Sequence, residues 1–120
     1  MSDLDTGGSE LIKSVRVDGP ALIATIHGEI DLHNSPDLRG HLLRLLETQK
    51  PKKLILNLSD VPYMDSSAIA VLVETLQRVR KNSGAVYLTN LQPRVKGLLE
   101  IARLETIFVI AADEHDAMNR

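Results

Sequence analysis

The run Leu54-Ile55-Leu56-Asn57-Leu58-Ser59-Asp60 passes through Val61-Pro62-Tyr63-Met64 into Asp65-Ser66-Ser67-Ala68, and this stretch decides the fold. Residues 54–58 form a short, nearly continuous apolar run, the pattern of a strand covered on both faces. From Ser66 onward, Ile69, Leu72, Val73, Leu76 and Val79 recur at intervals of three and four. That spacing predicts a helix from Ser66 to about Asn82, with an apolar stripe packed on a sheet. Asn82-Ser83-Gly84 supplies its stop. A central strand feeding a helix through a short polar loop is half of a crossover unit.

Working outward, the same alternation continues in both directions. Downstream, Ala85–Leu88 reads as a strand, Pro93 opens a helix with Val95, Leu98, Leu99 and Ala102 on one face, and Ile107–Ile110 reads as the last strand. A short helix is expected within Asp113–Met118. Upstream, Pro51 ends a helix that starts at Asn34 or Ser35, with Pro36 suited to the first helical position and Leu38, Leu42, Leu45 and Leu46 on one face. Gly28-Glu29-Ile30-Asp31 separates that helix from Ala21–His27, a strand joined to Val15 and Val17 by the turn Asp18-Gly19-Pro20. Strands alternating with helices require crossovers, so the class is α/β, with later strands mostly parallel and helices covering the sheet. Residues 1–10 are polar and are expected to fray, leaving 11–120 as one domain.

Composition narrows the function. The chain has 120 residues, enough for one ordinary core, and its 43% apolar content comes almost wholly from aliphatic residues. It has no Cys, which excludes a disulfide framework, a thiolate metal site and a cysteine nucleophile. Its net charge of -2 gives no basic footprint for nucleic acid. No apolar run approaches the roughly 18 residues that span a bilayer, so no membrane insertion is expected. The polar, acidic start gives no export signal, and a soluble cytoplasmic chain is expected.

Function in open α/β sheets gathers at the carboxyl ends of strands, which is where Asp65, Ser66 and Ser67 fall. A helix N-terminus there favours an anion such as a phosphoserine. Asp65 or Ser66 acting as a plain helix cap accounts for the same residues, and one residue can do both. His27, His33, His41 and His115 lack metal-ligand spacing, so no metal is assigned. Neither a nucleophile elbow nor a phosphate loop is present, so no cofactor is assigned and any nucleotide belongs to a partner. Arg78, Arg80 and Lys81 suit the C-terminal end of their helix as a solvated cluster.

Met64-Asp65-Ser66-Ser67-Ala68, with Leu56-Asn57-Leu58-Ser59-Asp60-Val61 before it, closely resembles the phosphorylation segment of anti-sigma factor antagonists. Gly28-Glu29-Ile30-Asp31 resembles that family's Gly-Glu-aliphatic-Asp motif, and the similarity runs from about Val15 to Met118. The resemblance implies a STAS fold, a small mixed, mostly parallel sheet flanked by helices. It implies no catalysis by the chain itself, but binding to an anti-sigma factor that is a serine kinase of the histidine-kinase-like ATPase class. In that scheme the unmodified antagonist frees a sigma factor, the kinase inactivates it by phosphorylation, and a metal-dependent (PPM-type) serine phosphatase restores it. The acceptor position falls on Ser66, and Asp31, Asp65, Ser66 and Ser67 fall on the partner-binding surface. Where the family pattern has Gly after the two serines, this chain has Ala68, which favours a helix by up to about 1 kcal/mol.

Two alternatives stand beside this reading. The same fold also serves as an accessory subunit bound to the ATPase of a membrane lipid ABC transporter; the retained acceptor serine favours the first. A hydrolase with Ser66 as nucleophile and Asp31 or a histidine as base needs an activating base and an oxyanion site, and the sequence identifies neither.

Overall fold

A computed structural model of the chain describes residues 2–120. Its strands are β1 (Ser2–Leu4), β2 (Ile12–Asp18), β3 (Ala21–His27), β4 (Lys53–Asp60), β5 (Ala85–Thr89) and β6 (Val109–Ala111). Its α-helices are α1 (Ser35–Gln49), α2 (Ser66–Lys81), α3 (Pro93–Ile101) and α4 (Glu114–Met118), with a 3-10 turn at Leu104–Thr106. The six strands lie side by side in chain order. β1, β2 and β3 pair antiparallel; β3, β4, β5 and β6 pair parallel. The α/β class and the mostly parallel later strands are therefore as the alternation predicts.

β4 is internal, between β3 and β5, and alternation sends its side chains to two different layers. Leu54, Leu56 and Leu58 join the main core with Leu38 and Leu42 of α1, Leu72 and Leu76 of α2, and Val95 and Leu99 of α3. Ile55 faces the other way, into a small cluster with Ile23, Ala111 and Ala117 under α4. The short apolar run was legible as a strand because both of its faces are covered.

The stripe of α2 is rotated from its expected position. Ala68, Val71, Leu72, Thr75, Leu76 and Val79 are buried, whereas Ile69 and Val73 are only half-buried at its flank. The helix shares one core with α1 and the sheet, and its buried face takes in Ala68 and Thr75 beside the larger aliphatic residues. Thr75 is tolerated there because its hydroxyl donates to the Val71 carbonyl at 2.8 Å. Past α2 the chain turns tightly at Gly84, where a Cβ would lie 2.8 Å from the Lys52 carbonyl oxygen and 2.7 Å from Val79.

The last strand starts two residues later than expected, because Leu104–Thr106 first makes the 3-10 turn. The leading segment also differs from the frayed tail read in the sequence. Asp3 and Leu4 pair with Arg16 and Val15, and Leu4 packs on the core. Farther along, His41 of α1 contacts the Gly7 carbonyl at 2.9 Å, and the Ser9 hydroxyl donates to Asp37 at 3.2 Å. The pairing uses backbone groups of the open edge of β2, which any sequence can satisfy. Met1 lies outside the described residues. Among those residues, no helix is long and apolar enough to cross a membrane.

Candidate functional site

The site is built where two loops leave the carboxyl ends of β3 and β4. Gly28 (φ 90°) turns the chain out of β3 while its N–H donates to the Asp60 carbonyl at 2.9 Å. The loops then zip together: Ile30 N–H donates to the Tyr63 carbonyl and Asp65 N–H to the Ile30 carbonyl, each at 3.1 Å. Ile30 and Met64, paired in this short parallel bridge, are both buried and anchor the loops to the core.

Asp65 caps α2. One carboxylate oxygen accepts from the Ser67 amide at 2.9 Å, the Ser67 hydroxyl at 2.5 Å and, more weakly, the Ala68 amide at 3.4 Å. The other accepts from the Leu32 amide at 3.1 Å, across the gap between the loops. One side chain thus satisfies the start of the helix and fixes the neighbouring loop. The Ser67 hydroxyl above all, with the amides of Ser67, Ala68 and Leu32, holds the Asp65 carboxyl below its ordinary pKa against the opposing effect of desolvation.

The sign of that shift sets a test. A depressed folded-state pKa contributes stability above the unfolded value, about 3.9, which is lost as pH falls through the folded value. Asp65→Asn is therefore expected to lower the thermal midpoint at neutral pH, with the difference from the parent chain shrinking below about pH 4. A difference that stays constant from pH 7 to pH 2.5 would show that the carboxylate charge contributes nothing to the cap.

Asp31 organises the other loop. Its carboxylate accepts from the His33 amide at 2.9 Å and the Asn34 amide at 3.2 Å, while the Asn34 side chain accepts from Asp31 N–H and donates to the Glu29 carbonyl, both at 2.9 Å. Asn34 is the residue before α1 but makes no side-chain cap to it, because its amide is spent in this loop. Asp31 lies on the same end of the sheet as Ser66, one residue from the Leu32 amide that Asp65 holds.

The two serines differ. Ser67 is half-buried with its hydroxyl committed to Asp65, whereas Ser66 is exposed and its hydroxyl makes no hydrogen bond among the described residues. The loops also present two exposed apolar residues that sequence reasoning missed, Leu32 and Tyr63, the latter with the Arg94 guanidinium 5.1 Å from its ring centre. Sequence pattern signals burial well and exposure of a lone apolar residue hardly at all. Elsewhere, the Arg78–Lys81 cluster is partly tied down: Arg78 lies 3.9 Å from Glu74 and Arg80 donates to the Ile107 carbonyl at 3.2 Å. Among the described residues no group of His, Cys, Asp and Glu side chains could hold a metal ion.

Comparison with known proteins adds a family to this geometry. Residues 12–117 match the STAS domain model. The chain is 40% identical over 87 residues to the anti-sigma-B factor antagonist of Bacillus subtilis (strain 168), covering 72% of this chain and 78% of that protein. The fold is similar to that of an anti-sigma factor antagonist from Mycobacterium paratuberculosis, with TM-score 0.79, 21% identity and 88% of each chain covered. It is also similar to Bacillus SpoIIAA in its phosphorylated form, with TM-score 0.69, 19% identity, and 91% of this chain and 97% of that chain covered. Matched domain, matched relative and shared topology agree: this chain belongs to the STAS domain family, in its anti-sigma factor antagonist branch.

Proposed function

We propose that this chain is a cytoplasmic partner-switching protein that binds an anti-sigma factor and is turned off by phosphorylation of Ser66. The proposed partner is a serine kinase of the histidine-kinase-like ATPase class, and the proposed reset is a PPM-type serine phosphatase. The observation that carries the reading is the division of labour between neighbouring hydroxyls. Phosphoryl transfer needs a hydroxyl that can align with the terminal phosphate of ATP, so positioning dominates its catalysis. Ser66 is exposed and uncommitted, whereas modifying Ser67 would first break its 2.5 Å bond to the capping carboxylate. The 40% identity to an anti-sigma-B factor antagonist supports the class of partner.

The direct test is incubation with that kinase, ATP and magnesium, followed by mapping of the phosphate by mass spectrometry. One phosphate on Ser66, absent from Ser66→Ala, is expected. Phosphate on Ser67 alone would overturn the assignment.

Asp31 is proposed as part of the same partner surface, with Asp65 and Ser67. Asp31→Asn keeps an oxygen to accept from the His33 and Asn34 amides, so the loop should hold its shape and the thermal midpoint should barely move. It removes a charge beside the acceptor, and a roughly tenfold loss of partner affinity is expected, about 1.4 kcal/mol. Calorimetric titration with the kinase measures it; unchanged affinity would remove Asp31 from the interface.

A further inference from the structure

Among the described residues the exposed large apolar side chains are Leu32, Tyr63 and Ile101, and the first two stand on the paired loops at the end of the sheet where Ser66 lies. Leu32 is 75% exposed, so it contributes almost nothing to the core. Its backbone is nonetheless held firmly. Its own amide is bound by Asp65, the amides of the next two residues by Asp31, and the loop is cross-braced by Asn34 between Asp31 N–H and the Glu29 carbonyl. Tyr63 stands on the partner loop, whose carbonyl receives the Ile30 amide, with Arg94 over its ring.

An exposed leucine on a flexible loop is unremarkable. A leucine presented to solvent by a backbone whose entropy has already been lost is preorganised, and binding through it needs little further ordering. Binding energy at interfaces concentrates in a few such anchors, with Tyr and Arg enriched among them. A kinase acting on Ser66 also has a specific need for one. The serine side chain is small and polar, so the energy that seats its hydroxyl against the nucleotide must come from contacts outside the reacting group.

We propose that Leu32, with Tyr63 on the paired loop, is the docking anchor for the kinase that modifies Ser66, seated in an apolar pocket on that kinase. Asp65 is a positioning residue in this scheme. By holding the Leu32 amide with one oxygen and the start of α2 with the other, it fixes the distance between anchor and acceptor. The inference rests on the reading of Ser66 as acceptor and adds the contact that gives that reaction its specificity.

The test compares the parent chain with Leu32→Ala, Leu32→Asp and Leu32→Met as substrates of the purified kinase at saturating ATP and magnesium. Thermal midpoints of all four should agree within the error of the measurement, because the side chain is outside the core. KM is expected to rise about tenfold in Leu32→Ala and further in Leu32→Asp, with kcat within about twofold of the parent and Leu32→Met close to it. A KM unchanged in Leu32→Asp while Ser66 is still phosphorylated would overturn the anchor and leave the acceptor assignment standing. A fall in kcat with KM unchanged would overturn it too, since it would put Leu32 in the chemical step. Failure of the parent chain to be phosphorylated on Ser66 or to bind the kinase would overturn the acceptor reading, and the anchor with it.

Discussion

Replacing Leu72 by alanine is expected to lower the unfolding free energy by about 2 to 5 kcal/mol, a large share of the 5 to 15 kcal/mol typical of small domains. Leu72 is 3% exposed and belongs to the cluster that joins α2 to Leu38 and Leu42 of α1 and to Leu56 of β4. Truncation removes buried methyl groups and leaves a cavity between two helices and a sheet whose strands cannot move inward without breaking their ladders. Val73, the next residue, supplies the control. It is half-buried, so Val73→Ala should cost only about 0.8 kcal/mol, the transfer energy of one fully buried methylene. Urea titration of both variants reads the difference as a midpoint shift at unchanged slope. Equal shifts would mean that the buried face of α2 extends across Ile69 and Val73, as the apolar spacing predicts.

That pair of residues marks the boundary of what the sequence made legible. Periodicity located α2 and its two ends, because apolar residues at intervals of three and four have no other consistent explanation. Its phase was less visible. Ile69 and Val73 are bulky and weigh heavily in any apolar pattern, while Ala68 and Thr75, which are small or polar, are the ones buried. Packing volume decides that choice, and volume depends on neighbours far away in the chain. β1 escaped notice for a related reason. With Leu4 the one large apolar side chain among residues 2–10, the segment has no alternation to read, and its strand exists through backbone pairing to β2.

The site divides the same way. Asp65, Ser66 and Ser67 were accessible as polar residues at a strand end, Asp31 only through the resemblance of Gly28-Glu29-Ile30-Asp31 to a family motif, and the structure brings the two loops that carry them into contact through Asp65 and the Leu32 amide. What the sequence left open was which hydroxyl is free and which is bound. It also suggested free amides at the start of α2 ready for a phosphate, whereas the Asp65 carboxylate already occupies the Ser67 amide. A phosphate on Ser66 would therefore find that amide already taken.

This geometry shapes the second large effect. Phosphorylation of Ser66 is expected to weaken partner binding by two to three decades, about 3 to 4 kcal/mol, without unfolding the domain. The phosphoryl group adds about -1.5 to -2 charges at pH 7 beside the Asp65 carboxylate and on the same end of the sheet as Asp31. It also faces the site from which it came. A kinase that has just transferred phosphate still holds the anionic diphosphate product, so like charge meets like charge across the interface, where such juxtaposition costs several kcal/mol. The domain itself has no reason to rearrange. Asp65 keeps its capping bonds, the positive end of α2 favours the nearby anion, and Ser66 is already exposed, so nothing buried must open. Ser66→Ala should resist modification and bind constitutively, and Ser66→Asp should bind more weakly than the parent but more tightly than the phosphoprotein, since it carries less charge and a shorter reach. Binding measured before and after stoichiometric phosphorylation, with amide exchange of α2 followed in parallel, separates an electrostatic block from local melting. Full affinity in the Ser66-phosphorylated protein would sink the switch, and loss of protection along α2 would replace the block with an order-to-disorder mechanism.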